Sequence, residues 1–207
     1  MARSKSSSRW INRQSKDPYV TKAKSEGYRS RAVYKLQEID AKYQIFRSDQ
    51  FIVDLGAAPG AWCQYIVRNV PATSGKVIGL DILAMEPIPG VHIIQGDFTE
   101  DETLEELVSS LNKRPVDLVL SDIAPNISGN KVVDQPKSMY LAELALDFAK
   151  QHLAEGGVFA VKLFQGKGYT EYIQDLRTSF KHVTTFKPQA SRKESREMYA
   201  IGREFEL

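Results

Sequence analysis

Short apolar runs alternate with longer stretches of helical periodicity along this chain, and this alternation limits the fold more than any other feature of the sequence. The apolar runs have the composition of strands buried on both faces and lie at residues 51–55, 77–80, 91–94, 118–120 and 158–163. Helical patterns lie between and around them at residues 30–43, 61–69, 102–113, 139–153 and 170–180. Strands that alternate with helices form parallel sheets, because each crossover helix returns the chain to the same edge of the sheet. The alternation predicts an α/β fold with a doubly wound, mostly parallel sheet.

The last part of the chain completes the predicted sheet. Residues 183–186 and 197–202 are two further strand candidates, close enough in the chain to pair antiparallel. With them the sheet has seven strands and an antiparallel edge strand. Gly156 and Gly157 follow a helical pattern and are expected to end it as a left-handed cap would. Residues 126–136 are expected to form a loop, either a mobile one over the ligand-binding site or a simple surface loop.

The composition indicates one folded domain in a reducing compartment. The chain has 207 residues, and its nine phenylalanines, nine tyrosines and two tryptophans are enough for a sizeable core. No uninterrupted apolar run exceeds four residues, whereas a membrane-spanning helix needs about 20, and the N-terminus lacks the apolar stretch of a secretory signal. The single cysteine, Cys63, cannot form an internal disulfide, and with His92, His152 and His182 scattered along the chain no metal site is expected. We therefore expect a cytoplasmic protein.

Positive charge is concentrated at the two ends of the chain. Residues 1–35 contain ten lysines and arginines but only two acidic residues, and residues 177–203 contain seven and two. Basic zones around a more acidic middle indicate a surface that binds a polyanion. Aromatic residues lie among the basic ones, which favours RNA, because unpaired bases stack on aromatic rings and phosphates pair with guanidinium groups. We expect residues 1–27 to form a basic, partly flexible segment and residues 28–207 a single domain.

The segment after the first predicted strand has the composition of a ligand-binding turn. It reads Asp-Leu-Gly-Ala-Ala-Pro-Gly over residues 54–60 and leads into a helical pattern. Gly56 and Gly60 allow the backbone to turn tightly and to approach a ligand closely, and the start of a helix presents free N–H groups there. The spacing is not that of a dinucleotide fingerprint or a phosphate loop. An ordinary strand-to-helix turn therefore remains the alternative.

Acidic residues follow the next two predicted strands. Asp81 lies about 20 residues after the glycine turn, where a carboxylate can accept both hydroxyls of a ribose. Asp97, followed by Phe98, suits the amino group and the ring face of an adenine. A capping role is the alternative for each acid. Because ligands bind outside the carboxyl ends of parallel strands, these residues predict a nucleoside-bearing cofactor without a pyrophosphate.

Charged residues also stand in or beside the remaining predicted strands. Asp122 follows the fourth apolar run, Lys162 interrupts the fifth, and Glu197 precedes an apolar run at residues 198–201. A buried lysine is strongly unfavourable unless it is paired or neutral. A structural salt bridge between Lys162 and Asp122 is one explanation. Two acids and a lysine at the strand ends of one sheet favour a catalytic cluster.

Taken in order, these motifs resemble the FtsJ/RrmJ family of ribosomal RNA methyltransferases over almost the whole chain. The matching segments are Ser8-Arg9-Trp10, Arg29-Ser30-Arg31-Ala32, the turn at residues 54–60, Ser121-Asp122, Ala124-Pro125-Asn126, Met139-Tyr140-Leu141, Phe164-Gln165-Gly166 and Ser195-Arg196-Glu197. The resemblance implies a Rossmann-like fold that transfers a methyl group from S-adenosylmethionine to a ribose 2′-OH. The compact length resembles the bacterial branch, whose members act on a uridine in the A-loop of 23S ribosomal RNA.

The resemblance also implies functional residues. The family's catalytic tetrad matches Lys35, Asp122, Lys162 and Glu197. Its cofactor positions, together with the glycine turn, match Gly56, Pro59, Gly60, Trp62, Asp81, Asp97 and Asp122. Residues expected to bind RNA are Arg9, Arg29, Arg31 and Lys35. The expected partner is 23S ribosomal RNA within the large ribosomal subunit. The protein is expected to be a monomer that binds neither a metal ion nor a membrane.

Two questions stay open at the level of the sequence. Relatives that act on tRNA share the tetrad, so a tRNA 2′-O-ribose methyltransferase is an alternative, as is a non-catalytic RNA-binding assembly factor. Lys162 is either a neutral general base or a charged group that orients the hydroxyl and stabilises the developing alkoxide. Burial and Lys35 favour the neutral form, whereas Asp122 and Glu197 favour the charged one.

Overall fold

The computed structural model describes residues 17–70, 76–126 and 128–206. The strands in this part of the chain are β1 (Phe51–Leu55), β2 (Lys76–Asp81), β3 (Val91–Gln95), β4 (Val116–Ser121), β5 (Leu153–Phe164), β6 (Phe180–Phe186) and β7 (Glu197–Phe205). The helices are α1 (Pro18–Ser25), α2 (Val33–Tyr43), α3 (Ala61–Asn69), α4 (Asp101–Ser110), α5 (Lys131–His152) and α6 (Tyr169–Ser179). Strands and helices alternate along most of this order, as the periodicity predicts.

The strands form one sheet in the order β3-β2-β1-β4-β5-β7-β6. Neighbours from β3 to β5 pair in parallel, whereas β7 pairs antiparallel with both β5 and β6. The predicted doubly wound, mostly parallel sheet with an antiparallel edge is confirmed, and β6 is the outermost strand of that edge. The strand order reverses direction between β1 and β4. A crevice at the carboxyl ends of these two strands is where such sheets bind their ligands.

Both faces of the sheet are covered by helices, so β1 is buried along its whole length. Phe51, Val53 and Leu55 belong to a core shared with α4, α5 and α6. Ile52 belongs to the opposite core, formed with α2 and α3. Asp54, which is fully buried, lies on the same side as Ile52 because side chains alternate along a strand. The sheet therefore carries one carboxyl group into the core beside α3.

The N-terminal part of the described chain forms a helix that the periodicity did not indicate. Asp17 caps α1 by accepting a hydrogen bond from the N–H of Tyr19 at 3.0 Å, and Pro18 is its first residue. The Tyr19 ring lies 5.4 Å from that of Tyr34 in α2, and Ala23 is buried in the same cluster. α1 therefore packs on α2, although it lies in the segment that the charge pattern assigns to a basic extension.

α5 begins earlier than its hydrophobic pattern indicated. It starts at Lys131, because Asn130 caps it by accepting a hydrogen bond from the N–H of Val132 at 3.1 Å. Pro136 lies inside the helix. The carbonyl left without a donor by Pro136 is that of Val132, whose exposure lets water solvate it. Most of the predicted loop at residues 126–136 is therefore the first turn and a half of α5.

The prediction that Gly156 and Gly157 end a helix is wrong. α5 ends at His152, and both glycines lie within β5. Gly156 has a φ of +73°, and the pairing of β4 with β5 shifts in register at this point. A glycine pair serves a strand irregularity and a helix end equally well, so the sequence could not separate the two.

Candidate active site

Four charged side chains from separate parts of the chain meet at the rim of the sheet. Lys35 lies on α2, Asp122 follows β4, Lys162 lies near the end of β5, and Glu197 begins β7. The antiparallel pairing of β5 with β7 sets Phe164 opposite Glu197, so the end of one strand lies beside the beginning of the other. The structure brings together the four residues of the tetrad that the sequence indicated.

The four side chains form two ion pairs. Nζ of Lys162 lies 3.0 Å from Oδ1 of Asp122 and also donates to the Asp122 backbone carbonyl at 2.6 Å. Nζ of Lys35 lies 3.0 and 3.2 Å from the two carboxylate oxygens of Glu197. The Lys162 side chain is 7% exposed and the most exposed of the four, that of Asp122, 16%. Both pairs are therefore largely shielded from solvent. Charge interactions in such shielded positions are stronger than at the surface.

Tyr199 connects the two ion pairs. It lies opposite Lys162 in the β5–β7 pairing and is fully buried. Its hydroxyl donates to Oδ1 of Asp122 at 2.6 Å, and Nζ of Lys35 lies 5.8 Å from its ring centre. Burial and the neighbouring Asp122 carboxylate raise the pKa of Tyr199 well above its usual value, so the hydroxyl stays a donor. The sequence analysis did not single out Tyr199, because an aromatic residue in an apolar strand is usually a core residue.

Asp122 stays ionised at neutral pH. Burial by itself raises the pKa of its carboxyl group, but the charges of Lys162 and Lys35 and the hydrogen bond from Tyr199 together lower the pKa below its usual range. The contact with Lys162 is therefore a charge-assisted hydrogen bond, about twice as strong as one between neutral groups.

A cavity of about 500 Å³ opens beside Asp122 at the carboxyl ends of the central strands. Its lining includes Gly56 and Ala58 after β1, Asp81 at the end of β2, Asp97 and Phe98 after β3, and Asp122 after β4. The cavity has the size of a small-molecule site and a few carboxylates among mostly small or apolar groups. Asp122 is shared, because it lines the cavity and also holds Lys162.

Gly56 lets the turn after β1 pass close to the loop after β4. Its φ is +79°, and a Cβ at this position would lie 2.7 Å from the backbone nitrogen of Ile123. The N–H groups of Gly56 and Ala57 donate to the carbonyl of Leu80 at 2.8 and 3.1 Å, which fixes the turn to β2. A larger residue at position 56 would displace backbone that borders the cavity.

We expect Gly56→Ala to lower the free energy of unfolding by at least about 1 kcal/mol more than Gly156→Ala. Both glycines have a positive φ, but a Cβ at Gly156 would meet nothing within 4 Å. The control therefore carries only the conformational cost of a left-handed residue, about 1–2 kcal/mol, while Gly56→Ala adds the overlap with Ile123. Urea denaturation of both variants measures the difference, and equal losses would show that the loop after β4 yields freely.

Two acids of the cavity already accept backbone hydrogen bonds. The carboxylate of Asp81 accepts from the N–H groups of Ala58 and Leu83, each at 2.9 Å. Oδ1 of Asp97 accepts from the backbone N–H and hydroxyl of Thr99 at 2.9 and 2.8 Å. Oδ2 of Asp97 forms no hydrogen bond among the described residues. The capping alternative is wrong for both acids, because Glu100 is the N-cap residue of α4 and no helix begins between Asp81 and Asp97. The hydrogen bonds instead fix the local turns, and both carboxylates keep the capacity to accept further hydrogen bonds.

Three residues predicted to bind a cofactor, Pro59, Gly60 and Trp62, are not part of the cavity lining. The Trp62 side chain is buried: its Nε1 donates to the carbonyl of Ala32 at 2.8 Å, and its ring lies 6.0 Å from that of Tyr199. The indole therefore supports the core beneath the tetrad, and a direct contact between this ring and a cofactor does not fit the arrangement.

The arginines predicted to bind RNA direct their guanidinium groups to the protein itself. Arg29 donates at 3.1, 2.7 and 3.0 Å to the carbonyl oxygens of Pro59, Glu86 and Pro87. Arg31 pairs with Asp17 and donates to the carbonyl of Ala190. To contact an RNA phosphate directly, Arg29 and Arg31 would have to break these intramolecular hydrogen bonds and form new ones to the RNA. Arg9 lies outside the described residues.

Asp54 is an acidic residue near the site that the sequence analysis included in the glycine turn but did not name as functional. Its Oδ2 accepts a hydrogen bond from Sγ of Cys63 at 3.2 Å, while Oδ1 is buried without a partner among the described residues. Burial raises the pKa of Asp54 to about 7, and the nearby Asp122 and Asp81 carboxylates act in the same direction, against a lowering by the Cys63 contact. The signal in the sequence was an acid inside an apolar run.

Neither a metal cluster nor a membrane span is found in the part of the chain that the structure describes. No group of histidine, cysteine and acidic side chains there is arranged to hold a metal ion. No helix there has both the length and the apolar character that crossing a membrane requires.

Known proteins that resemble this chain in sequence and in structure belong to one group of methyltransferases. The model of the family described as FtsJ-like methyltransferase matches residues 28–205. The chain is 54% identical to "Ribosomal RNA large subunit methyltransferase E" of Alkalilimnicola ehrlichii over 201 residues. This aligned region covers 97% of this chain and 96% of that protein. The chain is 49% identical over 205 residues to the protein of the same name from Francisella tularensis subsp. novicida, covering 99% of each.

A solved structure is also similar. The crystal structure of a candidate ribosomal RNA methyltransferase from Plasmodium falciparum superposes with a TM-score of 0.76 at 34% identity, over 86% of this chain and 98% of that one. The match to the family model, over residues 28–205, includes the tetrad and the residues that line the cavity. The chain therefore belongs to the FtsJ-like methyltransferase family.

Proposed function

We propose that this protein transfers a methyl group from S-adenosylmethionine to the ribose 2′-OH of a uridine in the A-loop of 23S ribosomal RNA. The observation that carries the proposal is the double role of Asp122, which lines the cavity and holds Lys162. One carboxylate thereby joins the space for a methyl donor to the cluster that would act on a sugar hydroxyl. Relatives at about half identity are named as large-subunit ribosomal RNA methyltransferases.

The residues of the cavity fit S-adenosylmethionine. Asp97 offers the free Oδ2 to the amino group of an adenine, and Phe98 lies beside it. Each carboxylate oxygen of Asp81 accepts one backbone N–H and keeps a lone pair for a ribose hydroxyl. Gly56 lets the turn after β1 pass close to Ile123, and both residues border the cavity. The ionised Asp122 suits the positively charged amino group of the methionine part.

The geometry also fits a reaction on a sugar hydroxyl. The sulfonium of S-adenosylmethionine supplies a methyl group already activated for transfer. The ribose oxygen forms a bond to the methyl carbon as the carbon–sulfur bond breaks, and the hydroxyl proton leaves to Lys162 or to solvent. Asp122 fixes Lys162 through two oxygen contacts, so a further position on its nitrogen is available to the hydroxyl. Holding the reacting groups in line is worth up to about 7–11 kcal/mol in favourable cases.

Lys35 and Glu197 would hold the target nucleotide beside this reaction centre. Tyr199 links their ion pair to that of Lys162, because Nζ of Lys35 lies 5.8 Å from its ring centre and its hydroxyl donates to Asp122, the partner of Lys162. A lysine can pair with a phosphate, and a carboxylate can accept hydrogen bonds from sugar hydroxyls. The Lys35–Glu197 pair can therefore bind both the phosphate and the sugar of a nucleotide. Lys35 is thus the predicted RNA-binding residue that we retain as a direct contact. The proposed substrate implies action during ribosome assembly, in the cytoplasm of a bacterium.

Transfer of a labelled methyl group tests this function. The protein is incubated with labelled S-adenosylmethionine and, in parallel, with large ribosomal subunits from cells lacking it, with free 23S ribosomal RNA and with tRNA. We expect one methyl group per large subunit or 23S molecule, mapped to a uridine ribose in the A-loop. Label on tRNA alone would establish the tRNA enzyme instead, and no label on any RNA would leave a non-catalytic binding factor.

A further inference from the structure

The first two and a half turns of α5 present an apolar surface to solvent. Val132, Val133 and Tyr140 are 82%, 41% and 52% exposed, and Pro136 between them is exposed too. Apart from the adjacent Val132 and Val133, these positions are three, four, seven or eight residues apart, which places them on one face of the helix. We call these four residues the α5 ridge. Exposed apolar groups gathered in this way usually mark a binding surface.

The folding of the domain does not require the α5 ridge. The opposite face of the same helix already supplies the core, through Met139, Ala142, Ala145, Leu146 and Ala149. Farther along α5 the outward positions are polar and exposed, with Glu143 and Asp147 on the face where the ridge lies nearer the N-terminus. The same face thus changes from apolar to acidic along one helix. The apolar half is the half nearest the candidate site.

Three contacts place this half of α5 beside the tetrad and the cavity. Leu141, next to Tyr140 in the chain, lines the cavity. Gln135 is buried, and its Nε2 donates at 3.0 Å to the carbonyl of Phe164, the last residue of β5, and at 3.1 Å to that of Lys167 in the loop that follows. A substrate that enters the site along this side of α5 would meet the α5 ridge next.

We propose that the α5 ridge binds an unpaired nucleobase of the RNA substrate, next to the nucleotide held by the tetrad, with the base stacked on Tyr140. This inference rests on the proposed function. Neither the ring nor the hydroxyl of Tyr140 has a partner among the described residues, so one face of the ring is available for stacking. Val132 and Val133 supply apolar contact around it, and the exposed lysines at positions 131 and 137 flank it with positive charge.

The size and charge of the α5 ridge favour a base over a protein surface. Stable protein interfaces bury about 800 Å² on each partner and use about 20–30 residues a side, whereas the ridge has four. A single aromatic ring with two aliphatic neighbours is close to the area of one base. Flanking lysines suit the phosphates on either side of a flipped base. Stacking on an aromatic side chain is the usual way in which proteins hold unpaired bases.

Steady-state methyl transfer to free 23S ribosomal RNA and, in parallel, to large ribosomal subunits tests the proposal. We expect Tyr140→Ala to raise the KM for RNA about tenfold, while the KM for S-adenosylmethionine stays unchanged. Tyr140→Phe keeps the ring and should behave as wild type. Val108→Ala, which truncates an exposed apolar residue of α4, is the matched control and should have no effect. The salt dependence of binding should be unchanged in Tyr140→Ala, since stacking neutralises no phosphate.

A crosslink identifies the occupant directly. RNA with 4-thiouridine beside the target uridine should crosslink to the peptide that contains Tyr140, and Tyr140→Ala should lose the crosslink. Unchanged KM in Tyr140→Ala with an active wild type would overturn the inference and leave the proposed function standing. An effect of Tyr140→Ala on assembled subunits but not on free RNA would overturn it too, in favour of a ribosomal protein. Inactivity of the wild type on every RNA would instead refute the proposed function.

Discussion

Replacing Lys162 with alanine is expected to slow methyl transfer by about 100-fold or more while the methyl donor binds with nearly normal affinity. Lys162 is the side chain that Asp122 orients at the edge of the cavity, through contacts at 3.0 and 2.6 Å. The substitution removes the group nearest the proposed position of the ribose hydroxyl and leaves Asp81 and Asp97, the acids proposed to bind adenosine, untouched. Loss in turnover without loss in donor binding separates a role in the reaction from a role in folding.

Single-turnover transfer and calorimetric binding of S-adenosylhomocysteine measure the two quantities. Lys150→Ala is the matched control, because it also removes a lysine from an ion pair, with Asp175 at 2.7 Å, on a surface away from the tetrad. Surface ion pairs contribute about 0–1 kcal/mol, so this variant should keep its turnover. Equal turnover in Lys162→Ala and wild type would remove Lys162 from the reaction.

Lys162→Arg separates the two roles of this residue that the sequence left open. A guanidinium group keeps the positive charge but stays protonated at any working pH, so it cannot accept the hydroxyl proton. If Lys162 only orients the hydroxyl and stabilises negative charge, the arginine variant should retain much more activity than Lys162→Ala. If Lys162 is the base, the two variants should be equally slow. The comparison is made at several pH values, so that a change in rate-limiting step is visible.

The convergence of Asp122, Lys162 and Glu197 could be predicted because it follows from topology, whereas Lys35, which lies on α2, was indicated only by the family resemblance. Once the alternation of strands and helices is recognised, the carboxyl ends of the parallel strands must meet at one edge. Lys162 inside an apolar run and Asp122 directly after another then lie side by side, and the structure joins them in an ion pair. Glu197 follows because the strand that it begins pairs antiparallel with the strand of Lys162.

The roles of the arginines could not be predicted, because they depend on partners far away in the chain. Arg29 and Arg31 were expected to bind RNA because of the local positive charge and the aromatic residues among it, yet backbone carbonyls and Asp17 accept their hydrogen bonds. Tyr199 was hidden for the same reason: its hydroxyl finds Asp122 only after the sheet has formed. Local sequence shows what a side chain can donate or accept. The fold decides which partner comes within reach.

The free energy of unfolding of the Asp54→Asn variant is expected to increase relative to that of the wild type as the pH rises. The carboxyl group of Asp54 has a folded-state pKa of about 7, against 3.8 for the ordinary group, chiefly because it is buried beside α3. Between these values the unfolded chain releases the proton while the folded chain keeps it, so wild-type stability falls as the pH rises. Above about pH 7 the folded protein carries a buried charge. Asparagine cannot ionise and avoids this loss.

The measurement is the difference in unfolding free energy between variant and wild type, by urea denaturation at pH 5 and pH 8. We expect this difference to shift in favour of Asp54→Asn by about 3 kcal/mol. Wild-type stability falls by 1.36 kcal/mol for each of the two units between pH 5 and the folded-state pKa of about 7, and changes little above it. The lower limit of pH 5 leaves Asp122 ionised, since its pKa is lowered. Any constant effect of the buried amide cancels in the comparison.

Asp147→Asn, at an exposed position of α5, is the control for the chemical change and should alter the unfolding free energy by less than about 0.5 kcal/mol at either pH. A shift of about 3 kcal/mol is a large part of the 5–15 kcal/mol that stabilises a typical domain. Such a shift at Asp54 alone would show that the chain tolerates an unfavourable carboxyl group directly beneath the site. A difference that does not change between the two pH values would show that Asp54 is ionised, or neutral, throughout, and that its surroundings do not shift its pKa into this range.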